Sequence, residues 1–237
     1  LDAARINQHR VKSGFEVNYL VADRYPTLPT EDCTSLEDVV DLTQAYKDGV
    51  LTWEVPAGEW KIFRFGYSLL GRQNGPASPE ATGLEVDKLD RDAVRRYYQN
   101  YLGMYDDASH GRLGSDGVIK YLMIDSYESG RGTWTADMEK EFVARRGYAL
   151  RPWLPVLAGQ IIGSADMSER FLFDWRQTLG ELMAENHYDV VNEILAPYGM
   201  KRHTESHEER TAFVGDGMMV KRHADIPMSA FWVRYRA

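Results

Sequence analysis

Residues 15–21 (Phe-Glu-Val-Asn-Tyr-Leu-Val) alternate apolar and polar side chains, the two-residue period of a half-buried strand. A loop with Pro26, Pro29 and Cys33 follows. Residues 49–55 and 60–67 are β-rich runs separated by the turn Pro56-Ala57-Gly58, which predicts a hairpin or two adjacent strands. Glycines and prolines then crowd residues 71–83, as in a surface loop. Beyond residue 86 the period changes. Leu89, Val94, Tyr97, Tyr98 and Tyr101 recur at helical spacing over residues 87–102, with Gly103 as the stop. Residues 118–124 (Val-Ile-Lys-Tyr-Leu-Met-Ile) are a short apolar run of the kind buried in parallel sheets. Thr135 is placed to cap a helix through Met138 and Phe142 to Gly147. Asp166 with Glu169 resembles a capping box. It opens the strongest helical stripe in the chain: Leu172, Trp175, Leu179, Leu182, Val190 and Ile194, ending at Pro197-Tyr198-Gly199. Residues 200–204 read as a short strand.

Strands separated by helices of this length predict βα units and a mainly parallel sheet. The βα rhythm occupies roughly 150 residues, whereas a whole (β/α)₈ barrel takes about 250. The fold expected is therefore α/β, a partial (β/α)₈ barrel over residues 59–237 preceded by a β-rich N-terminal segment over residues 1–58. The sequence opens on Leu1 with no signal-peptide pattern and closes just after an aromatic pair. It is read as part of a larger parent chain whose remaining domains would be its partners.

Composition narrows the chemistry. Lys and Arg total 28 against 36 Asp and Glu, a formal net charge of −8. Phosphate binding needs clustered cations, so a nucleic acid or an anionic membrane is not the expected partner. A single cysteine, Cys33, excludes an internal disulfide and any zinc site built from several cysteines. No apolar run approaches the roughly 18 residues of a membrane span.

Two segments carry candidate chemistry. In Ile124-Asp-Ser-Tyr-Glu-Ser-Gly130 an apolar strand ends and delivers Asp125 and Glu128 into a Ser/Gly loop. In His203-Thr-Glu-Ser-His-Glu-Glu-Arg210 histidines and glutamates follow a second strand, with Glu205 one residue past its end. C-terminal strand ends are where parallel α/β barrels place their active sites. Two carboxylates on different strand ends suit glycoside hydrolysis, in which one carboxyl protonates the leaving oxygen and the other activates water or attacks the sugar. Glu128 and Glu205 are the natural pair. Tyr127 and Trp134 flank the first acidic loop and offer faces to a sugar ring, whereas Trp175 belongs to a core stripe. His203 and His207, four apart and followed by Glu208, raise a rival reading as a metal hydrolase. The strand-then-loop placement works against the helical geometry which that reading needs.

Several of these segments resemble glycoside hydrolase family 106, the α-L-rhamnosidases. They are Asp125-Ser-Tyr-Glu-Ser-Gly130, Lys201-Arg-His-Thr-Glu-Ser206, Ala224-Asp-Ile-Pro-Met228 with Phe231-Trp232, and residues 48–60 (Asp-Gly-Val-Leu-Thr-Trp-Glu-Val-Pro-Ala-Gly-Glu-Trp). The resemblance runs from about residue 40 to 232. It implies a (β/α)₈ catalytic domain that inverts terminal α-L-rhamnosides, helped by a calcium ion, within large exported bacterial proteins. It implies Glu128 and Glu205 at acidic active-site positions, with His203, His207 and Asp225 nearby in sugar- or metal-binding range. Family patterns carry an acidic residue just before the Phe-Trp pair, where this chain has Ala230. That departure leaves Glu205 or Glu208 to act as base, or favours a non-catalytic carbohydrate-binding protein. The expectation is a glycosidase with Glu128 as general acid, Glu205 as base, and Asp125, Tyr127, Trp134, His203, His207 and Asp225 around the substrate.

Overall fold

The computed structural model describes residues 9–13, 33–75, 77–127, 132–206 and 215–229, without the side chains of 10 and 11. The expected strand at 15–21, and Glu128, His207, Glu208, Ala230 and Phe231-Trp232, lie outside the described residues.

A short helix α1 (His9–Lys12) is followed by β1 (Cys33–Thr34) and then by a hairpin of β2 (Tyr46–Lys47) and β3 (Val50–Leu51). The hairpin turns at Asp48-Gly49, not at Pro56-Ala57-Gly58. Both turn residues have positive φ (51° and 83°), as the Asp-Gly type I′ turn demands. Residues 52–72 run on without joining a sheet among the described residues.

Helix α2 (Arg91–Ser109) starts where the Asp90 carboxylate accepts the Asp92 and Ala93 N–H groups. It continues through Gly103 to His110, whose αL conformation ends it. The strand β4 (Tyr121–Ile124) follows, then α3 (Met138–Arg146) closed by Gly147 in the αL region, and α4 (Leu154–Leu157). The strand β5 (Ile161–Ile162) pairs in parallel with β1. Next comes α5 (Ala165–Leu182). Its cap is Ser164, whose hydroxyl accepts the Met167 N–H, so the expected Asp166 cap lies two residues too late. The chain stays helical through a π segment, Met183–Asp189, into α6 (Val190–Leu195), and stops at Gly199 (φ 65°). The strand β6 (Lys201–Thr204), the helix α7 (Gly217–Lys221) and the strand β7 (Ile226–Pro227) complete the described elements.

The sheet that matters has the order β4-β6-β7, all parallel. Tyr121 faces Lys201 and Ile124 faces Thr204, while His203 and Thr204 face Ile226 and Pro227. This is the α/β class expected. Three strands form a shorter arc than a barrel needs to be recognised by its sheet alone. The loops that lead into β4 and β6 touch closely: a Cβ on Gly114 would lie 2.0 Å from the Tyr198 carbonyl oxygen. That contact aligns the starts of the two strands.

Helices cover one face of the sheet. Leu122 packs with Val94, Leu102, Val190, Val191, Ile194, Leu195 and Met200 in one apolar core. A second core gathers Phe142, Phe171, Leu172, Trp175, Leu179, Leu182 and Tyr188, and Ile124 packs against both. Each fully buried Leu or Ile contributes about 1.5–3 kcal/mol, so the helical layer holds the sheet in place. On the other face Tyr121 and Met123 are 50% and 58% exposed, beside the exposed Lys201 and half-buried His203. Parallel sheets seldom leave a face bare.

Candidate active site

All three strands run in parallel, so their C-terminal ends meet at one edge. The ladder continues past β4 and β6. The Glu205 N–H donates to the Ile124 carbonyl (3.0 Å), and the Tyr127 N–H donates to the Ser206 carbonyl (3.2 Å). These bonds keep the register of the strands and set Asp125 beside Glu205, at the ladder spacing of about 4.8 Å. Alternation along β4 puts Asp125 on the open side, in line with Tyr121 and Met123, whereas Glu205, past Lys201 and His203 on β6, is buried.

Backbone contacts hold Glu205 firmly. The Thr204 hydroxyl donates to the Glu205 carbonyl (2.8 Å), and the Met228 N–H donates to the Thr204 carbonyl (2.8 Å). Glu205 is 9% exposed, whereas Asp125 lies in solvent and accepts the Ser126 N–H (2.9 Å). The site thus offers two neighbouring carboxyl groups in different surroundings, one shielded and one wet.

Other expected residues disperse. Tyr127 is half-buried at the same edge, with the Lys88 ammonium 5.7 Å from its ring centroid. His203 lies two residues below Glu205, between Met123 and Ile226. Trp134 turns elsewhere: it stacks on Tyr67 (6.1 Å) and leans on Trp175 (6.2 Å) in a broad cleft of about 2090 Å³. Asp125, Tyr127, His203 and Glu205 do not line that cleft. Asp225 sits at the start of β7, away from the strand C-terminal ends, where its carboxylate accepts the Arg202 backbone N–H (2.9 Å). It stands in for the ladder partner that β7 does not yet provide. Glu128 and His207 lie outside the described residues, so the expected Glu128–Glu205 pair has no geometry here. The neighbour of Glu205 that does have one is Asp125, which sequence spacing gave no means of pairing with it.

One residue at this edge escaped sequence reading altogether. Tyr188, fully buried in the π segment, donates its hydroxyl to the Ser206 carbonyl at 2.9 Å. Burial raises its pKa, with Tyr127 and Glu205 adding in the same direction and Arg202 opposing. The only sequence signal was the polar run Asn186-His187-Tyr188-Asp189 inside an apolar helix.

Among the described residues no group of three or more His, Cys, Asp or Glu side chains converges as a metal site. Calcium asks for six to eight oxygen ligands, and Asp125 and Glu205 alone do not meet that need. His207 and Glu208 lie outside the described residues, so this set does not bear on the His203/His207 metal reading or on the calcium of the family resemblance. Among the described residues, no helix is long and apolar enough to cross a membrane.

Residues 1–237 match the family profile of glycoside hydrolase family 106, described as alpha-L-rhamnosidase. The fold is similar to the solved rhamnosidase of Novosphingobium sp. PP1Y, with a TM-score of 0.80 and 38% identity, covering 98% of this chain and 22% of that one. A Formosa agariphila protein provisionally named a beta-glucuronidase is 36% identical over 221 residues, 93% of this chain and 18% of its own length. The chain thus spans about a fifth of the relatives it matches. On this profile and these likenesses, the chain belongs to glycoside hydrolase family 106.

Proposed function

We propose that the protein hydrolyses terminal α-L-rhamnosides or similar deoxysugar glycosides through two carboxyl groups, with inversion. The observation that carries this is Glu205 at the C-terminal edge of a parallel sheet, beside the strand end Asp125-Ser126-Tyr127 that Glu128 follows in sequence, in a chain of this family; inversion is what the family resemblance implies. In this reading the sheet is an arc of a (β/α)₈ barrel, and its bare face, with Met123, Lys201 and His203, is the barrel interior. The sugar sits over the strand ends. Glu128, next in sequence after Tyr127, gives its proton to the glycosidic oxygen. Glu205 takes a proton from the water that attacks the opposite face of the anomeric carbon. Asp125, Tyr127, His203 and His207 hold hydroxyl groups, and Asp225 acts through the scaffold. Calcium, which the family resemblance alone implies, would supply a cation to hold sugar hydroxyl groups at this edge.

A neutral deoxysugar suits this edge better than a uronate. A substrate carboxylate would enter beside Asp125 and Glu205 in a chain of net charge −8, and like charges at such spacing repel. The test offers the intact natural chain an aryl α-L-rhamnoside and an aryl β-D-glucuronide, with proton NMR of the first-formed sugar. The expected result is rhamnoside cleavage at least about tenfold preferred in kcat/KM, releasing the β-anomer. A preference for the glucuronide would overturn the substrate assignment. Sugar binding by calorimetry with no turnover of either would favour the carbohydrate-binding alternative.

A further inference from the structure

We infer that Tyr188 is a positioning residue for Glu205, aimed by the π-helical turn Met183–Asp189. The activity part of this inference rests on the glycosidase reading above; the structural part does not.

A π turn is uncommon, well under 1% of residues, and its wider winding is found disproportionately at functional sites. Here it joins α5 to α6 within one unbroken helix. Up to Tyr188 that helix buries its face in the core around Phe142 and Trp175; from Val190 onward it buries the other core around Val94 and Leu122. The extra winding re-aims the helix between the two cores, and Tyr188 stands at the changeover.

Its hydroxyl reaches the carbonyl of Ser206, the residue directly after Glu205. The same oxygen accepts the Tyr127 N–H from the β4 end. One carbonyl therefore ties three parts together: the helical layer, the Asp125 loop and the Glu205 turn. The ring is held as well, because the buried Arg202 guanidinium lies 5.7 Å from its centroid. Arg202 spends Nη2 on the Val220 carbonyl, and its Nε and Nη1 have no hydrogen-bond partner among the described residues. Removing the tyrosine hydroxyl alone would leave ring, volume and cation contact in place. It would free the Glu205 turn from the helix while Ser206 keeps its bond to Tyr127. A buried tyrosine that merely satisfies its own hydroxyl would have no reason to affect one catalytic carboxylate.

The experiment compares Tyr188→Phe, Glu205→Gln and the double variant in the intact natural chain. Two readouts are taken: kinetics on an aryl α-L-rhamnoside, and amide hydrogen exchange over residues 121–127 and 201–206. The expected result is a fall of about 10- to 100-fold in kcat for Tyr188→Phe, with KM changed less than about threefold. Exchange in both segments should speed up at least about tenfold. Tyr188→Phe should cost nothing more on the Glu205→Gln background, because a residue acting through Glu205 has nothing left to position. Unchanged exchange in those segments would overturn the inference whatever the substrate. So would an equal fold-loss in both backgrounds. If the unaltered chain cleaves no glycoside, the glycosidase reading falls and the exchange result alone decides the positioning role.

Discussion

His187, the neighbour of Tyr188, makes a pH prediction of its own. It is buried, and its Nδ1 has no hydrogen-bond partner among the described residues. Burial, and then the positive charges of Lys88 and Arg202, hold its pKa well below the ordinary value. The folded protein therefore keeps His187 neutral, while the unfolded chain takes up a proton below about pH 6.5. The stability it contributes is fully present above that pH. It is lost as pH falls from there toward the folded pKa, at up to about 1.4 kcal/mol per pH unit. Denaturant unfolding at pH 7 and pH 5 should show the acid loss reduced by one proton's slope in His187→Leu; an identical slope would contradict the account. Residues at this scale were unevenly legible. Glu205 could be read because an apolar strand visibly ends one position before it. Its pairing with Asp125 could not, because register between distant strands is absent from any local pattern. Tyr188 was hidden by the π turn, which breaks the 3.6-residue count that a periodic reading relies on.

Elements were more legible than their ends. The strands β4 and β6 and the long helix from Ala165 appear where the apolar pattern put them. Gly103 did not stop α2, because a mid-helix glycine costs only about 1 kcal/mol and Tyr97, Tyr101 and Tyr105 carry the helix onward through ring contacts. The hairpin moved to Asp48-Gly49 because two positive φ values outweigh the hint of a Pro-Ala-Gly turn. The strand β5 was missed because two residues give no period to read. Two stability predictions belong here. Ser164→Ala removes the cap of α5 and should cost about 1 kcal/mol. Gly114→Ala should cost at least about 2 kcal/mol, because φ is 106° and the new Cβ meets the Tyr198 carbonyl at 2.0 Å. Thermal unfolding should place Gly114→Ala below Ser164→Ala, and the reverse order would contradict the proposed locking of the β4 and β6 starts.

At the scale of the molecule, the βα rhythm foretold a parallel sheet, and the structure has one, with helices packed on one face among the described residues. The family was legible from the Asp125 and Glu205 segments because a strand-end motif keeps its residue order through folding. The route of residues 52–72 was not, because its alternation implies a partner strand that the described residues do not supply. The sheet face uncovered among the described residues and Glu205 beside Asp125 at its edge support the proposal that glycoside bonds are cleaved here. The most direct measurement is kcat of Glu205→Gln in the intact natural chain on an aryl α-L-rhamnoside, with its thermal midpoint recorded alongside. A loss of at least about 100-fold is expected in a variant that unfolds within a few degrees of the parent. A loss under about tenfold would contradict the proposal.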